Sequence, residues 1–360
     1  MEKKLNFTII GSGAGGTTMG AVLSQKGYKV RMFDINKETI AKLNAVDELR
    51  AIGCLEAHGK PEVITDDLAV AMEGADVILV PSTTDAHEWI ANHIKPYVRD
   101  GQMIILFPGH MGGALLVSEI LRSGENPPKL IIGETNDLLY PCRVQEVGTI
   151  LHTGVKEHVG VATVPAADVD KVIETLQPIF PNMEKRSSIM ETSMKVGGTL
   201  HIVPTLMNVN KMDLGESYDY YMEGVTPNIA KLIIATHKEG SAVLEKLGVP
   251  KRDMTAGLVK AYHLPETDDL YTAIQSCKPY IGIKNPKNLQ HRFVHEEILA
   301  TFVPMASLGK ELGVETPMID AFITMCQIFT GIDYRKEGRT VEKLGLKGKT
   351  AEEMVAYLKQ

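Results

Sequence analysis

A run of glycines near the amino terminus is the part of the sequence with the clearest chemical potential. Gly11, Gly13 and Gly16 follow the pattern GxGxxG within the segment Gly11-Ser12-Gly13-Ala14-Gly15-Gly16. In this pattern the first glycine permits a tight turn, the second lets the backbone approach a pyrophosphate, and the third lets a helix pack closely on a strand. The free N–H groups at the helix start then face the phosphates, where the helix dipole favours negative charge. The run therefore predicts a dinucleotide-binding turn.

The residues around this motif strengthen the prediction and bear on the choice of cofactor. A strand is predicted at residues 5–10, a helix at 17–25 and a second strand at 29–33, which ends directly before Asp34. An acidic residue at about this distance from the glycines accepts hydrogen bonds from both ribose hydroxyls and repels a 2′-phosphate. Asp34 therefore favours NAD over NADP, although Arg31 and Lys37 nearby keep NADP open.

Two later loops are expected near the same cofactor. Pro81, Ser82 and Thr83 follow the predicted strand 77–80, and Pro108 and Gly109 follow the predicted strand 103–107. Ligands of doubly wound sheets bind beyond the carboxyl ends of parallel strands, so both loops should face the nicotinamide half of the bound dinucleotide.

The elements that position these residues follow an alternating pattern through the first half of the chain. Besides those already given, the apolar runs and helical periodicities predict a strand at 130–132, a late hairpin or added strands at 144–151 and 155–164, and helices at 88–98 and 167–180. Alternating strands and helices are typical of a doubly wound parallel sheet. We therefore predict an α/β Rossmann-type dinucleotide-binding domain over residues 1–186.

The second half of the chain shows helical periodicity in place of the strand pattern. Apolar residues recur at three-to-four spacing in residues 191–212, 226–247, 296–312 and 318–329. Near the end, Thr350 and Glu353 have the spacing of a capping box, which predicts one more helix. Residues 187–360 are therefore predicted to form an all-α domain that carries the substrate and catalytic residues.

Composition places the chain among ordinary globular proteins and excludes several functions. The 360 residues are 44% hydrophobic and 23% charged, with a formal net charge of −7. An acidic balance argues against nucleic-acid or anionic-membrane partners. The four cysteines lie far apart without CxxC spacing, so no metal site is expected and free thiols in the cytoplasm are the simplest interpretation. No apolar run approaches the ~20 residues of a membrane-spanning helix.

A dinucleotide site implies hydride transfer, and a general acid or base must accompany it. Histidine is the usual choice near neutral pH, but the chain has eleven histidines and composition cannot select among them.

Longer sequence patterns in both halves of the chain bear on which histidine is meant. In the amino-terminal half they are the glycine motif, residues 81–87, Phe107-Pro108-Gly109 with Gly112-Gly113, and Glu134-Thr135 with Pro141 and Arg143. In the helical half they are Glu191-Thr192-Ser193, His201, Asn208, residues 220–227, residues 291–297, Val303-Pro304, Leu308-Gly309, Gly313-Val314 and Thr316-Pro317.

Taken together, these patterns resemble the octopine/nopaline (opine) dehydrogenase family over most of the chain. The resemblance implies a helical domain of the 6-phosphogluconate dehydrogenase-like type and His201 as the catalytic acid/base. It also implies that Glu297, with the adjacent Glu296 as its competitor, pairs with this histidine and that Arg292 holds a substrate carboxylate. The sequence departs from the family at two places. Glu297 stands where aspartate is usual, and Lys195-Val196-Gly197-Gly198 replaces an asparagine-rich run.

The resemblance further implies the reaction and its small-molecule partners. A 2-oxo acid such as pyruvate condenses with the amino group of an amino acid, and NAD(P)H reduces the product. Glu134, Tyr221 and Tyr280 are candidate substrate contacts, and a homodimer is expected by analogy. Two alternatives stay open at this point. One is a simple 2-oxo or 3-oxo acid reductase resembling ketopantoate reductase, for which Lys195 or Lys238 would serve, and the other is a non-catalytic NADH-sensing protein.

Overall fold

The computed structural model describes residues 4–360 and divides the chain into two compact units. The second unit is Lys195–Val355, and the first contains the residues before it together with Ala356–Gln360. The first unit thus extends to Met194, and the predicted domain boundary between residues 186 and 187 stays a prediction. The extension to Met194 has a local cause, because the short helix Ile189–Thr192 packs on strands of the first unit and Thr192 donates a hydrogen bond to Glu134 there.

An eight-stranded sheet forms the centre of the first unit. Its strands, from one edge to the other, are β12 (Met183–Lys185), β11 (Val159–Val164), β8 (Ile131–Thr135), β7 (Met103–Leu106), β6 (Val77–Val80), β1 (Asn6–Ile10), β2 (Lys29–Phe33) and β5 (Val63–Thr65). All neighbouring strands run parallel except β8 and β11, which are antiparallel. Strands β6 and β7 are buried along their whole length, as expected for a sheet covered on both faces. The predicted Rossmann-type fold is confirmed.

The helices of the first unit connect these strands in the expected alternation. They are α1 (Ala14–Gln25), α2 (Lys37–Asn44), α3 (Leu68–Met72), α4 (His87–Ile94), α5 (Gly113–Leu121), α6 (Val169–Leu176) and α7 (Ile189–Thr192). Helix α1 begins within the glycine motif, before the predicted start at residue 17, because small residues allow the first turn to form directly at the end of β1.

A second, four-stranded sheet packs on α1 and was largely missed by the sequence analysis. Its order is β4 (Ala57–Gly59), β3 (Leu49–Gly53), β10 (Thr149–His152) and β9 (Cys142–Glu146). The hairpin β9–β10, at residues 142–152, overlaps the predicted hairpin or added strand at 144–151, whereas β3 and β4 carry no apolar run of their own. They form because α1 offers a surface on which they pack.

The second unit is helical, in agreement with the prediction. Its helices are α8 (Thr199–Met207), α9 (Val209–Asp213), α10 (Pro227–Lys246), α11 (Met254–Tyr262), α12 (Leu270–Ser276), α13 (Arg292–Glu297), α14 (Val303–Leu312), α15 (Pro317–Thr330), α16 (Tyr334–Glu337) and α17 (Ala351–Leu358), the last of which ends in the first unit. The predicted helix 191–212 is divided into α7, α8 and α9. Gly198, with a φ of +71°, prevents a continuous helix before α8.

Two further predictions about helices, the helix at 296–312 and the capping box at Thr350, can be compared with the structure. The predicted helix 296–312 is interrupted by a π-helical turn at Ile298–Phe302, which precedes Pro304, a residue without a backbone donor. The predicted capping box is confirmed, since the Thr350 N–H donates to Glu353 at 2.8 Å and the Glu353 N–H donates to the Thr350 hydroxyl at 3.2 Å. Within residues 4–360, no helix combines the length and the hydropathy of a membrane span.

A buried histidine links α1 to the second sheet. The Thr18 hydroxyl donates to the Ala14 carbonyl at 2.8 Å, so its oxygen accepts the Nε2–H of His152 at 3.0 Å. His152 is 1% exposed, and its Nδ1 has no hydrogen-bond partner among the described residues. Burial lowers the pKa of His152 below its ordinary value, so the ring is held neutral in the folded protein.

We expect this histidine to make the first unit less stable in mild acid. Its pKa is lower in the folded than in the unfolded chain, so the unfolded chain binds more protons and stability falls as the pH drops below about 6.5. His152→Phe should therefore lose less of its urea midpoint between pH 7.5 and pH 5.5 than the parent. His263→Asn, at an exposed histidine, serves as the control. An equal loss in parent and His152→Phe would show that His152 does not contribute to the pH dependence.

Candidate active site

The glycine motif forms a turn that leaves room for a phosphate group. Gly11 has a φ of +111°, and a Cβ added at Gly16 would lie 1.9 Å from the Gly11 carbonyl oxygen. Any side chain at Gly16 would therefore break the contact between the turn and α1. A Cβ at Gly13 would meet nothing within 4 Å, so the space above this residue is open. Helix α1 has no acidic residue in its first turn, and its N–H groups are available to a phosphate. These residues fit a dinucleotide pyrophosphate.

Asp34 stands beside this turn at the carboxyl end of β2. The backbone N–H and the hydroxyl of Ser12 both donate to Asp34 Oδ2 at 2.8 Å, and the Asn36 N–H donates to Oδ1 at 2.9 Å. The carboxylate is thus held in one orientation next to the glycine motif. Arg31 pairs with Glu73 at 3.0 Å and Lys37 pairs with Asp66 at 3.5 Å. Arg31 and Lys37, the two cations that could bind the 2′-phosphate of NADP, therefore both form ion pairs with carboxylates of the protein.

The loop after β6, which is predicted to lie near the cofactor, adjoins the glycine motif. A Cβ at Gly11 would lie 3.4 Å from the Cβ of Ser82, and one at Gly15 would lie 3.4 Å from the Cβ of Pro81. The Ser82 hydroxyl oxygen is buried and has no hydrogen-bond partner within residues 4–360. A buried polar atom of this kind requires a partner, which a bound dinucleotide can supply. Thr83 is exposed at the end of the same loop.

The loop after β7 is organised around a buried carboxylate. Glu134 is 0% exposed, and its Oε2 accepts the Ala114 N–H at 2.8 Å, at the start of α5. Its Oε1 accepts the Thr192 hydroxyl at 2.8 Å. A Cβ at Gly109 would lie 2.0 Å from Glu134 Oε2, so Gly109 allows the loop to approach this side chain. The geometry gives Glu134 a role in positioning the loop, where the helix dipole favours its charge, and the predicted contact between Glu134 and the substrate stays a prediction.

Segments distant in the sequence meet around this carboxylate. His110 and Met111, with φ values of +48° and +41°, precede Gly112 at +82°, so three successive residues adopt the left-handed conformation. Ser193 holds this strained turn, because its carbonyl accepts the Met111 N–H at 3.1 Å and its hydroxyl oxygen accepts the Gly112 N–H at 2.5 Å. Backbone strain of this kind persists only where surrounding contacts enforce it, and it is common at functional loops.

In the second unit, His201 and Glu297 form the predicted pair. His201 lies in the first turn of α8 and Glu297 at the end of α13, and His201 Nδ1 is 2.7 Å from Glu297 Oε1. Because a carboxylate only accepts, Nδ1 carries the proton, and Nε2 has no hydrogen bond within the described residues. The Thr301 hydroxyl donates to Glu297 Oε2 at 3.0 Å and orients the carboxylate. The pair therefore presents Nε2 to a ligand in a defined tautomer.

Phe293 connects this pair to Arg292. Its ring stacks on the His201 imidazole with centroids 4.1 Å apart and planes 2° apart. The Arg292 guanidinium carbon lies 5.9 Å from the Phe293 ring centroid. Arg292 is exposed, and its guanidinium forms no ion pair or hydrogen bond with any part of residues 4–360. The structure thus brings the three predicted catalytic residues into one cluster, with an arginine free to bind an anion.

The predicted tyrosines pack next to this cluster. Tyr221 and Tyr280 stack with ring centroids 4.0 Å apart, and both side chains are buried. Burial raises the pKa of each phenol well above its ordinary range, so both hydroxyls stay protonated. Tyr221 packs edge-on against Tyr220 with ring centroids 4.9 Å apart, and the Tyr220 ring lies 5.3 Å from that of Phe293. Tyr220 stabilises the first turn of α8, since its hydroxyl donates to the His201 carbonyl oxygen.

Gly198 explains how the two departures from the family pattern fit together. A Cβ at this residue would lie 2.5 Å from Glu297 Oε2 and 3.1 Å from Glu297 Cβ. The glutamate is one methylene longer than aspartate, and the missing side chain at Gly198 makes room for it. The glycine-containing run before His201 and the glutamate at 297 therefore form one compatible pair.

The contacts of several site residues could not be predicted from the sequence. Thr301 belongs to no motif, Phe293 was noted only as part of the family pattern at residues 291–297, and nothing in their spacing identifies their partners. Gly198 was noted as a departure, but the carboxylate that it accommodates lies on another helix. Within residues 4–360, no group of three or more His, Cys, Asp and Glu side chains is placed to bind a metal ion.

A Rossmann-type unit with an open phosphate turn, joined to a helical unit with an oriented histidine, defines the class of nucleotide-dependent dehydrogenases. The model for the NAD/NADP octopine/nopaline dehydrogenase alpha-helical domain matches residues 185–330, and that for the NAD-dependent glycerol-3-phosphate dehydrogenase N-terminus matches residues 6–130. An opine dehydrogenase of Arthrobacter sp. (strain 1C) is 33% identical over 354 residues, which cover 98% of each chain. Octopine dehydrogenase of Mizuhopecten yessoensis is 25% identical and covers 94% of this chain and 93% of its own.

A solved structure of octopine dehydrogenase with NADH and L-arginine has the same fold. Its TM-score is 0.78 at 21% sequence identity, and the alignment covers 98% of each chain. The chain belongs to the octopine/nopaline (opine) dehydrogenase family and is an NAD(P)-dependent oxidoreductase. The family assignment made from the sequence is confirmed, and the simple oxo-acid reductase and the NADH sensor are not favoured.

Proposed function

We propose that this chain catalyses the NADH-dependent reductive condensation of a 2-oxo acid, such as pyruvate, with the amino group of an amino acid. The observation that carries the proposal is the oriented His201–Glu297 pair beside the unpaired Arg292. A cation free to bind a carboxylate, next to a proton-transfer group, matches the needs of an oxo acid that forms an imine and is then reduced. Relatives named opine and octopine dehydrogenase support the same reaction.

In this proposal each residue of the cluster has one task. Arg292 binds the oxo-acid carboxylate through its planar guanidinium, and Tyr221 and Tyr280 form the apolar support beside it. The carbonyl and the amine lose water to give the imine, and the bound nicotinamide supplies the hydride that reduces the imine carbon. His201 exchanges the proton at Nε2 with the reacting oxygen and nitrogen. Glu297 keeps the imidazole in the Nδ1–H tautomer and stabilises its protonated form.

The cofactor is proposed to be NAD rather than NADP because Asp34 lies beside the phosphate turn and the nearby cations are paired elsewhere. Asp34→Ala should weaken NADH binding about tenfold and NADPH binding much less, because the carboxylate accepts from the ribose diol and repels a 2′-phosphate. Fluorescence titration with both cofactors gives the two dissociation constants. Asp47→Ala, at an exposed carboxylate, is the control. An unchanged cofactor preference in Asp34→Ala would remove Asp34 from the ribose site.

Cellular location and assembly are proposed on more general grounds. The four cysteines, Cys54, Cys142, Cys277 and Cys326, are all free thiols, which supports a reducing cytoplasmic environment. The homodimer expected from the sequence stays a prediction, and light scattering at micromolar concentration measures it directly. No nucleic-acid or membrane partner is proposed.

The first experiment is NADH oxidation with a panel of 2-oxo acids, with and without a pool of amino acids. Turnover that requires both substrates supports opine formation, and dividing the pool identifies the amine. Turnover with the oxo acid alone would replace the proposal with a hydroxy-acid dehydrogenase. Binding of NADH without turnover in either mixture would contradict both enzymatic assignments.

A further inference from the structure

A second imidazole packs on Phe293, the residue whose ring stacks on His201. The His291 ring meets the Phe293 ring edge-on, with centroids 4.7 Å apart and planes 85° apart. His201 lies face to face with the same ring. His291 immediately precedes helix α13, and part of its surface is exposed. Phe293 therefore has one imidazole at its face and another at its edge.

The hydrogen bonds of these two imidazoles fix opposite tautomers. The Phe293 N–H donates to His291 Nδ1 at 3.2 Å, so the neutral His291 ring has its proton on Nε2. Partial burial, together with the positive charges of Arg292 and His201, lowers the pKa of His291 and favours this neutral form. His201 has its proton on Nδ1, where Glu297 accepts it. His291 Nε2–H is therefore a donor that makes no hydrogen bond within residues 4–360, whereas His201 Nε2 is an acceptor.

The described side chains around the Phe293 ring leave two donors and one acceptor for a ligand. Tyr220 uses its hydroxyl inside the protein, since it donates to the His201 carbonyl oxygen. The donors that remain are the Arg292 guanidinium and His291 Nε2–H, and the acceptor is His201 Nε2. An oxo acid and an amino acid bring two carboxylates, and Arg292 is proposed to bind one of them. An imidazole N–H beside this guanidinium suits the other, because hydrogen bonds to a charged acceptor are strong.

We propose that His291 is a further substrate-binding residue, whose Nε2–H donates to the carboxylate of the amino acid and thereby selects amines that carry a carboxylate. The inference rests on the condensation proposed above and on Arg292 binding the carboxylate of the oxo acid. In that reaction the two substrates become joined through one nitrogen, and each of the two carbons beside this nitrogen carries a carboxylate. Donors on two successive residues around one ring provide a partner for each carboxylate.

Substitution by asparagine separates the donor from the structural role of His291. Asparagine is a favoured residue directly before a helix, and its Oδ1 can accept the Phe293 N–H as the imidazole Nδ1 does. Its amide nitrogen ends one bond short of the position of Nε2, so the donor to the ligand is lost. His291→Ala removes the donor and the acceptor for the Phe293 N–H together. The thermal unfolding temperature should therefore stay near the parental value in His291→Asn and fall in His291→Ala.

The kinetic test uses pyruvate, NADH, each L-amino acid that supports turnover by the parent, and the α-amide of that amino acid. His291→Asn should raise the KM for the amino acid about tenfold and leave the KM for pyruvate and the dissociation constant for NADH near the parental values. The α-amide has no carboxylate charge, so its inhibition constant against the amino acid should change much less. His263→Asn, at an exposed histidine of the same unit, should leave all these constants unchanged.

The outcomes separate this inference from the proposed function. A higher KM for the amino acid, with little change for the α-amide, supports the contact. An unchanged KM for the amino acid, or equal weakening of the amino acid and its α-amide, would overturn the contact and leave the condensation intact. A higher KM for pyruvate alone would assign His291 to the oxo acid and would also overturn it. Absence of turnover by the parent with every pair of substrates would overturn the proposed function and this inference together.

Discussion

Replacing His201 with alanine is expected to lower kcat by about a thousandfold while the dissociation constant for NADH stays within a few fold of that of the parent. Nε2 is the proposed proton-transfer atom of the cluster, and the ring is held in place by Glu297 on one side and by stacking on Phe293 on the other. A methyl group at this position can neither donate nor accept a proton. The glycine motif and Asp34, which belong to the other unit, are untouched by the substitution.

The measurement is steady-state kinetics with the 2-oxo acid and amine identified by the substrate panel, together with NADH titration. His263→Asn, an exposed histidine with a φ of +51° that asparagine tolerates, should keep full activity. If His201→Ala retained more than about a tenth of the parental kcat, another group would have to be the acid/base.

The second large effect is expected at the contact between Gly198 and Glu297. Glu297→Gln should lower kcat about a hundredfold, because an amide holds the imidazole less well and cannot stabilise its positive charge. Gly198→Ala should have a comparable effect, since the added Cβ would lie 2.5 Å from Glu297 Oε2 and would displace the carboxylate from His201. In both variants kcat should fall while the KM for NADH stays near the parental value.

A double variant distinguishes this displacement from general damage. Shortening the acid in Gly198→Ala/Glu297→Asp removes the collision and should restore kcat at least about tenfold over Gly198→Ala alone, which is a coupling between neighbouring sites. Gly215→Ala isolates the cost of backbone strain, because Gly215 has the same φ of +71° but a Cβ there would meet nothing within 4 Å. Loss of kcat in Gly215→Ala as large as that in Gly198→Ala would show that strain alone is responsible.

The parts of the fold predicted well are those whose signal is local. Strands β2 and β6 have the predicted bounds because buried parallel strands leave short, branched apolar runs between turn residues. The capping box at Thr350 is equally local, since both hydrogen bonds join residues three positions apart. By contrast, buried and exposed residues are mixed in β3 and β4, and both strands form by packing on α1. No apolar run in the sequence therefore predicts them.

The site residues also divide into those predicted from local spacing and those whose contacts depend on tertiary packing. The glycine motif and Asp34 were found from spacing, because the turn, the helix start and the ribose acceptor lie within one strand–helix–strand unit. Glu134 was predicted as a substrate contact, and this stays a prediction. In the structure it accepts hydrogen bonds from the Ala114 N–H and the Thr192 hydroxyl, 20 and 58 residues away, and sequence spacing gives no information about such contacts.

By itself, the sequence determined the class of fold and the family, and it predicted the dinucleotide turn and the ribose carboxylate, because each of these depends on residue types at short or ordered spacing. Tertiary structure alone decided that Glu297 reaches His201 across 96 residues, that Gly198 makes space for it, and that Phe293 aligns the imidazole beside a free Arg292. It also buried Glu134. The physical reason is that a periodic pattern specifies which face of an element is apolar, whereas the partner of a polar side chain is set by the packing of elements distant in the chain.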